Sequence, residues 1–176
     1  KTIGHSQRKK INNVCLNDNN DHSYYSNYEI DNPIIAFKYF QNHKIKGASV
    51  TIPLKEEMIK YMDEISDDVT KIGALNTIIR LENGKIRGEN TDWMAIYDFI
   101  IKQNIATKYI LNKSVRALII GTGGTAKSAS YAINKAGYSL FVKGRSREKM
   151  NIFKERFNAT TIVTTILSSN FVKMNI

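Results

Sequence analysis

The stretch from Val115 to Gly137 constrains the fold of this 176-residue chain more than any other. Val115 to Ile120 is an apolar run but for Arg116, the pattern of a strand buried on both faces of a parallel sheet. Gly121-Thr122-Gly123-Gly124-Thr125 follows directly, and Ala126 to Ala136 reads as a helix of small residues that Gly137 ends. Leu140 to Lys143 is then predicted as a strand, Ser146 to Phe157 as a helix and Thr160 to Ile166 as a third strand. This βαβαβ order demands a parallel sheet with helical crossovers, half of a doubly wound nucleotide-binding domain. A complete domain of that kind needs roughly the other half again, so the sequence reads as incomplete after Leu167.

Glycines between a buried strand and a small-residue helix let the backbone approach a pyrophosphate, with helix N-terminal amides as donors. Gly121, Thr122, Gly123, Gly124 and Thr125 are the candidates for that role. The pattern departs from Gly-x-Gly-x-x-Gly, because Ala126 stands at the expected third glycine, with Ser128 two residues on; a purely structural tight turn is the competing reading. The second strand ends in Gly144-Arg145-Ser146, with Lys149 one helical turn on. An acidic residue there would accept from a ribose 2′-hydroxyl. A guanidinium and a hydroxyl suit a 2′-phosphate instead, so the expected cofactor is NADP. Arg145 and Lys149 as part of a general basic excess is the duller alternative.

In the first half, Ser49-Val50-Thr51-Ile52 alternates as a strand does, Pro53 stops it, and Lys55 enters a helix running from Glu56 to Met62. Arg8 to Leu16 is predicted as a helix with Ile11, Val14 and Cys15 inward, Tyr24 to Ile30 as a strand, and Pro33 to Asn42 as a helix. A short helix over Asp67 to Ile72 ends at Gly73, and Ala74 to Leu81 and Ile86 to Asn90 pair around an Asn-Gly turn. Thr91 or Asp92 caps a helix whose Trp93, Ile96, Tyr97, Ile100 and Ile101 recur at helical spacing. Lys102 to Lys113 is polar and irregular, which makes it the best boundary between two domains.

The formal charge of +10 fits nucleic acid or an anionic small molecule. The lysines are scattered, and no zinc-finger spacing or RNA-binding aromatic signature accompanies Arg8-Lys9-Lys10, so no nucleic-acid partner is expected. One cysteine and three unclustered histidines give no disulfide framework and no expected metal site. No apolar run approaches the roughly 18 residues of a membrane span and no signal peptide is visible, so a soluble, reducing, cytoplasmic setting is the expectation.

Ser49, Thr51, Lys55, Asn76 and Asp92 all fall at predicted strand ends. Hydroxyls, an amide, one carboxylate and one lysine together suit a polyhydroxylated substrate; taken singly, Asn76 as a turn residue and Asp92 as a cap are equally good readings. Ser-Val-Thr-Ile-Pro-Leu-Lys, Ile-Gly-Ala-Leu-Asn-Thr, Glu-Asn-Thr-Asp and Ile-Gly-Thr-Gly-Gly-Thr-Ala, in this order, resemble the shikimate dehydrogenase family, in the form found within the fungal pentafunctional arom polypeptide. The resemblance covers nearly the whole chain. It implies an α/β protein with a substrate-binding catalytic domain over residues 1–108, followed by a partial Rossmann-like NADP-binding domain over 109–176. The activity it implies is reduction of 3-dehydroshikimate to shikimate with NADPH, in chorismate and aromatic amino acid biosynthesis. By the same resemblance Lys55 and Asp92 are the catalytic pair, and Ser6, Thr51, Asn76 and Asp92 hold substrate. Gly121 to Thr125 form the diphosphate loop, Arg145, Ser146 and Lys149 clamp the adenosine phosphate, and Asp67 is an acidic group near the cofactor.

Two departures accompany the resemblance. The family's Ser-x-Ser-Pro reads here as Ser6-Gln7-Arg8-Lys9, so Arg8 replaces the second serine; its guanidinium pairs with a substrate carboxylate, blocks the site or faces solvent. The family's C-terminal portion is missing after Ile166, which implies a fragment, covalently part of a larger multifunctional polypeptide, or a sequence that loses the pattern there. The alternatives are a quinate/shikimate dehydrogenase and a catalytically inactive regulatory relative that keeps ligand binding.

Overall fold

The computed structural model describes residues 7–18, 23–106 and 115–162. Helix α1 covers Arg8–Asp18. Its inward face differs from the expected one: Ile11 and Val14 are 59% and 54% exposed and Cys15 is exposed, while Asn12, Asn13 and Leu16 are half-buried. Asn13 sets that rotation. Its amide donates to the Tyr25 carbonyl at 3.0 Å and its oxygen accepts from the Tyr25 N–H at 2.7 Å. The same two bonds explain why the predicted strand over Tyr24 to Ile30 is extended chain instead: a side chain takes the Tyr25 backbone groups that a ladder would use.

Helix α2, Pro33–Asn42, starts where Asn32 Oδ1 accepts from the N–H groups of Ile34 and Ile35. Strand β1 is shorter than its alternating pattern suggests, Gly47–Ser49, and the chain turns into helix α3, Leu54–Glu57, where the Leu54 N–H donates to the Thr51 carbonyl at 2.9 Å. A 3₁₀ turn over Met58–Tyr61 continues α3. Strand β2, Glu64–Ile65, was not foreseen, since two residues carry no readable period. Helix α4, Asp67–Ile72, is capped by Ser66 and ends at Gly73, whose φ of 73° favours glycine. Strands β3, Thr77–Arg80, and β4, Ile86–Glu89, form the expected hairpin with Gly84 at φ 83°. The sheet runs β1-β3-β4-β2, antiparallel except for the β2–β4 pair.

Helix α5 covers Asp92–Ala106, so the segment expected to be irregular from Lys102 is helical through Ala106; the expected boundary at 108/109 lies outside the described residues. Strand β5, Arg116–Ile120, helix α6, Gly124–Lys135, strand β6, Ser139–Lys143, helix α7, Arg147–Phe157, and strand β7, Thr160–Thr161, form the predicted parallel βαβαβ unit in the order β5-β6-β7. Only one face of β5 is fully buried, through Ala117 and Ile119 against α6; Leu118 is half-buried and Ile120 is 71% exposed, so burial on both faces does not hold among the described residues.

Two apolar clusters follow from this layout. One packs Phe40, Val50, Met58, Val69, Leu75, Ile78 and Ile86 around the first sheet. The other joins Trp93, Ile96 and Ile100 of α5 to Ala117, Ile119, Ala132, Ile133 and Phe153. Helix α5 therefore contributes its apolar stripe to the second core, while its N-terminus points its polar residues at the first. No described helix is long and apolar enough to cross a membrane.

Candidate active site at the junction of the two sheets

Lys55 is one of the few buried charged residues, 7% exposed, because the four-residue α3 lies under the start of α6. Its carbonyl accepts from the Leu75 N–H at 2.8 Å, which ties α3 to the segment leading into β3. The ammonium donates to Asp92 Oδ2 at 2.5 Å and to Thr125 Oγ1 at 3.3 Å. Asp92 is the first residue of α5, where the helix dipole favours a carboxylate. Its other oxygen, Oδ1, accepts from Asn76 Nδ2 at 2.7 Å. The same Asn76 amide reaches Thr91 Oγ1 at 3.0 Å, and Asn76 Oδ1 accepts from the Thr91 N–H at 2.9 Å. Asn76 is thus fixed on both sides, and the carboxylate it holds is fixed in turn.

The expected cap of α5 is Thr91 or Asp92; among the described bonds the side-chain acceptor at the start of α5 belongs to the residue before them. Asn90 Oδ1 accepts from the N–H groups of Asp92 and Trp93 at 3.1 and 3.4 Å. That substitution leaves the Asp92 carboxylate for Lys55. Asn90 also donates to the Ala74 carbonyl at 2.8 Å and to Ser128 Oγ at 3.0 Å, both in the interior. Ser128, two residues past the third-glycine position, is therefore an anchor between α6 and the Asn90 turn.

The glycine loop lies directly on this cluster. A Cβ on Gly124 would stand 3.1 Å from Lys55 Cβ and 3.2 Å from Lys55 Cδ, closer than ordinary contact. Gly121, at φ 119°, turns the chain out of β5 and donates to the Lys143 carbonyl at 2.8 Å. A Cβ on Gly144 would lie 2.7 Å from Thr122 Cγ2, so any larger residue at the end of β6 would have to displace the Thr122 side chain. Arg145 and Lys149 are exposed beside that contact, and Ser146 Oγ accepts from the Lys149 N–H at 3.2 Å as the cap of α7.

Of the residues singled out from the sequence, Lys55, Asn76, Asp92 and the loop from Gly121 to Thr125 come together here. Thr51 is exposed and lines a cavity of about 520 Å³ beside β1, with Tyr24, Tyr28, Tyr39 and Pro53, on a wall that does not include Lys55 or Asp92. Asp67 is exposed in the first turn of α4; its neighbour Asp68 makes the contact to α6. Ser6 lies outside the described residues. Among the described residues no group of three His, Cys, Asp or Glu could hold a metal ion.

Asp68 was missed because its partners are distant in sequence, and Asn90 because its bonds to Ala74 and Ser128 are. Asp68 accepts from Tyr131 Oη at 2.8 Å and from Trp93 Nε1 at 3.1 Å. Burial, and then the bond to Asp68, push the Tyr131 phenol up from 10.0 to about 12. A phenol that holds its proton more tightly when folded stabilises the fold below its unfolded value, and that contribution is lost as pH rises through the folded one. The melting temperature is therefore expected to fall between about pH 10 and 12 with a component that Tyr131→Phe removes. Thermal melts of both proteins from pH 9 to 12 measure it; parallel curves would contradict the assignment.

Comparison with known proteins agrees with this geometry. Residues 1–78 match the shikimate dehydrogenase substrate binding domain family. The pentafunctional AROM polypeptide of Candida glabrata is 32% identical over 167 residues, which is 91% of this chain and 10% of that protein. The crystal structure of shikimate dehydrogenase from Aquifex aeolicus superposes with a TM-score of 0.76 at 31% identity, covering 91% of this chain and 59% of the other. A shikimate dehydrogenase solved in complex with NADP⁺ gives a TM-score of 0.68 at 26% identity, over 90% of this chain and 58% of the other. The chain thus spans about 10% of the length of the curated relatives it matches. Sequence and fold agree: residues 1–78 carry the shikimate dehydrogenase substrate binding domain, and the chain as a whole is similar to a segment of shikimate dehydrogenases.

Proposed function

We propose that this chain carries the catalytic site of an NADP-dependent shikimate dehydrogenase, reducing the C3 ketone of 3-dehydroshikimate to the hydroxyl of shikimate. The observation that carries the reading is the buried Lys55–Asp92 pair lying against the glycine loop. In the proposed division, residues 1–108 bind substrate and residues 109–176 begin the cofactor domain. The match to one segment of the AROM polypeptides supports a domain working within a larger chain.

The residues present fit NADP. Gly121 and Gly123 have open space where a Cβ would stand, and Thr122 turns its side chain to Gly144, which suits amide donors at the N-terminus of α6 to phosphate oxygens. Arg145 and Lys149 stand exposed at the end of β6, where a 2′-phosphate would fall. Bound NADPH would supply the hydride. Lys55 then deals with the charge that develops on the ketone oxygen. An ammonium has three donors; Asp92 and Thr125 take two, and the third is available to that oxygen, which it stabilises and to which it delivers a proton. Asp92 keeps the ammonium aimed, and Asn76 keeps Asp92 aimed. Thr51 and Ser6 are proposed to bind substrate hydroxyl or carboxylate groups, and Asp67 to lie near the cofactor.

The test is absorbance at the reduced-nicotinamide band with the full-length protein and shikimate or quinate, each with NADP or NAD. Shikimate with NADP is expected to react fastest. Faster quinate turnover would move the assignment to a quinate/shikimate dehydrogenase, and shikimate binding without turnover in any pairing would make the protein a ligand-binding relative. Arg145→Ala is expected to raise KM for NADPH about tenfold or more and leave NADH nearly unchanged, since a charge-assisted phosphate contact is worth about 1.5–3 kcal/mol. Equal weakening of both would remove Arg145 from the 2′-phosphate site.

A further inference from the structure

Lys127 lies three residues into α6, beyond the glycine loop. A cation is disfavoured near a helix N-terminus, and this one is also buried, 7% exposed. In that place a lysine would ordinarily serve a bound phosphate. Here its Nζ donates instead to Glu56 Oε2 at 2.6 Å. Glu56 is the residue after Lys55 on α3, and Lys127 lies two residues after Thr125 on α6. Two successive side chains of α3 therefore grip two side chains of α6, Lys55 with Thr125 and Glu56 with Lys127. Among the described ion pairs, Glu56–Lys127 is the one that joins the half of the chain holding the first sheet to the half holding the second.

A four-residue helix has little rigidity of its own, so α3 takes its orientation from what it touches. Rotation of α3 would carry the Lys55 side chain with it. We propose that the Glu56–Lys127 pair is a latch between α3 and α6 that sets the position of Lys55 against the Gly121–Thr125 loop, and that Lys127 is a positioning residue, not a phosphate ligand. The pair also neutralises a carboxylate that would otherwise oppose an anionic ligand at the loop. The kinetic consequence rests on the proposed dehydrogenase activity; the mechanical coupling does not.

The experiment compares Lys127→Met, Lys127→Arg, Glu56→Ala and the double variant Lys127→Met/Glu56→Ala in the full-length protein. Each charge-removing single variant is expected to lower kcat about tenfold, the double no further than the worse single, with KM for NADPH within about twofold. Lys127→Arg should restore most of the rate, and the isotope effect with deuterated cofactor should rise in Lys127→Met as hydride transfer becomes limiting. Independently of activity, amide exchange should quicken at residues 54–57 and 124–127 in both charge-removing single variants and not in β3 or β4. A rise in KM for NADPH with kcat unchanged would make Lys127 a phosphate ligand and overturn the proposal, as would additive losses or unchanged exchange. Should Lys127→Met not fold, Glu56→Ala, altered at a half-exposed partner, decides the same points. A parent protein that lacks activity refutes the dehydrogenase reading, and the exchange measurement still decides the latch.

Discussion

Lys55→Ala is expected to lower shikimate turnover by about 10²–10⁴-fold, the range for removing a positioned acid-base group, while shikimate affinity changes little. The asymmetry follows from what Lys55 touches. Its partners are Asp92 and Thr125, both protein groups, and in the proposed reaction its remaining donor would meet an oxygen that becomes strongly basic only as hydride arrives. Binding depends on the several polar groups a polyhydroxylated substrate can reach, so one lost donor costs little in the ground state. Initial rates with shikimate and NADP, beside calorimetric titration of shikimate, separate the two effects. Turnover at the parent rate would remove Lys55 from the chemistry, and a parallel loss of affinity would make it a binding group.

The sequence made the second half of the fold legible because βαβαβ has a period and a glycine signature, and those survive without tertiary information. The parallel register of β5, β6 and β7 follows from that order. It was silent where a side chain overrides the period. Asn13 rotates α1 and takes the Tyr25 backbone out of a ladder, and no alternation of apolar residues encodes either event. The site divides in the same way. Lys55, Asn76 and Asp92 could be gathered because each borders a strand or opens a helix, and such ends converge in an α/β protein. Glu56 with Lys127, and Asp68 with Tyr131, are separated by 71 and 63 residues and look like ordinary surface chemistry until the helices are packed.

Asp92→Ala is expected to destabilise the protein by about 3–5 kcal/mol, the cost of stripping one partner from a buried ion pair. The ammonium left behind keeps only Thr125 among its protein partners, while Gly124 holds its stem in a place where the residue is 7% exposed. Asn76 would lose an acceptor in the same step, adding an unpaired amide hydrogen in the interior. The companion double variant Lys55→Met/Asp92→Ala removes the stranded charge and keeps an apolar stem of similar volume against Gly124. It should recover most of the loss, since an apolar replacement for a buried pair is often neutral. Urea unfolding of the parent, both single variants and the double variant closes the cycle. A double variant as unstable as Asp92→Ala would show that Asp92 acts through Asn76 and the α5 N-terminus, not through its charge on Lys55. Recovery of stability together with loss of turnover would place the energetic cost of this site where its chemistry is: a cation buried for reactivity, tolerated by the fold only because Asp92 faces it.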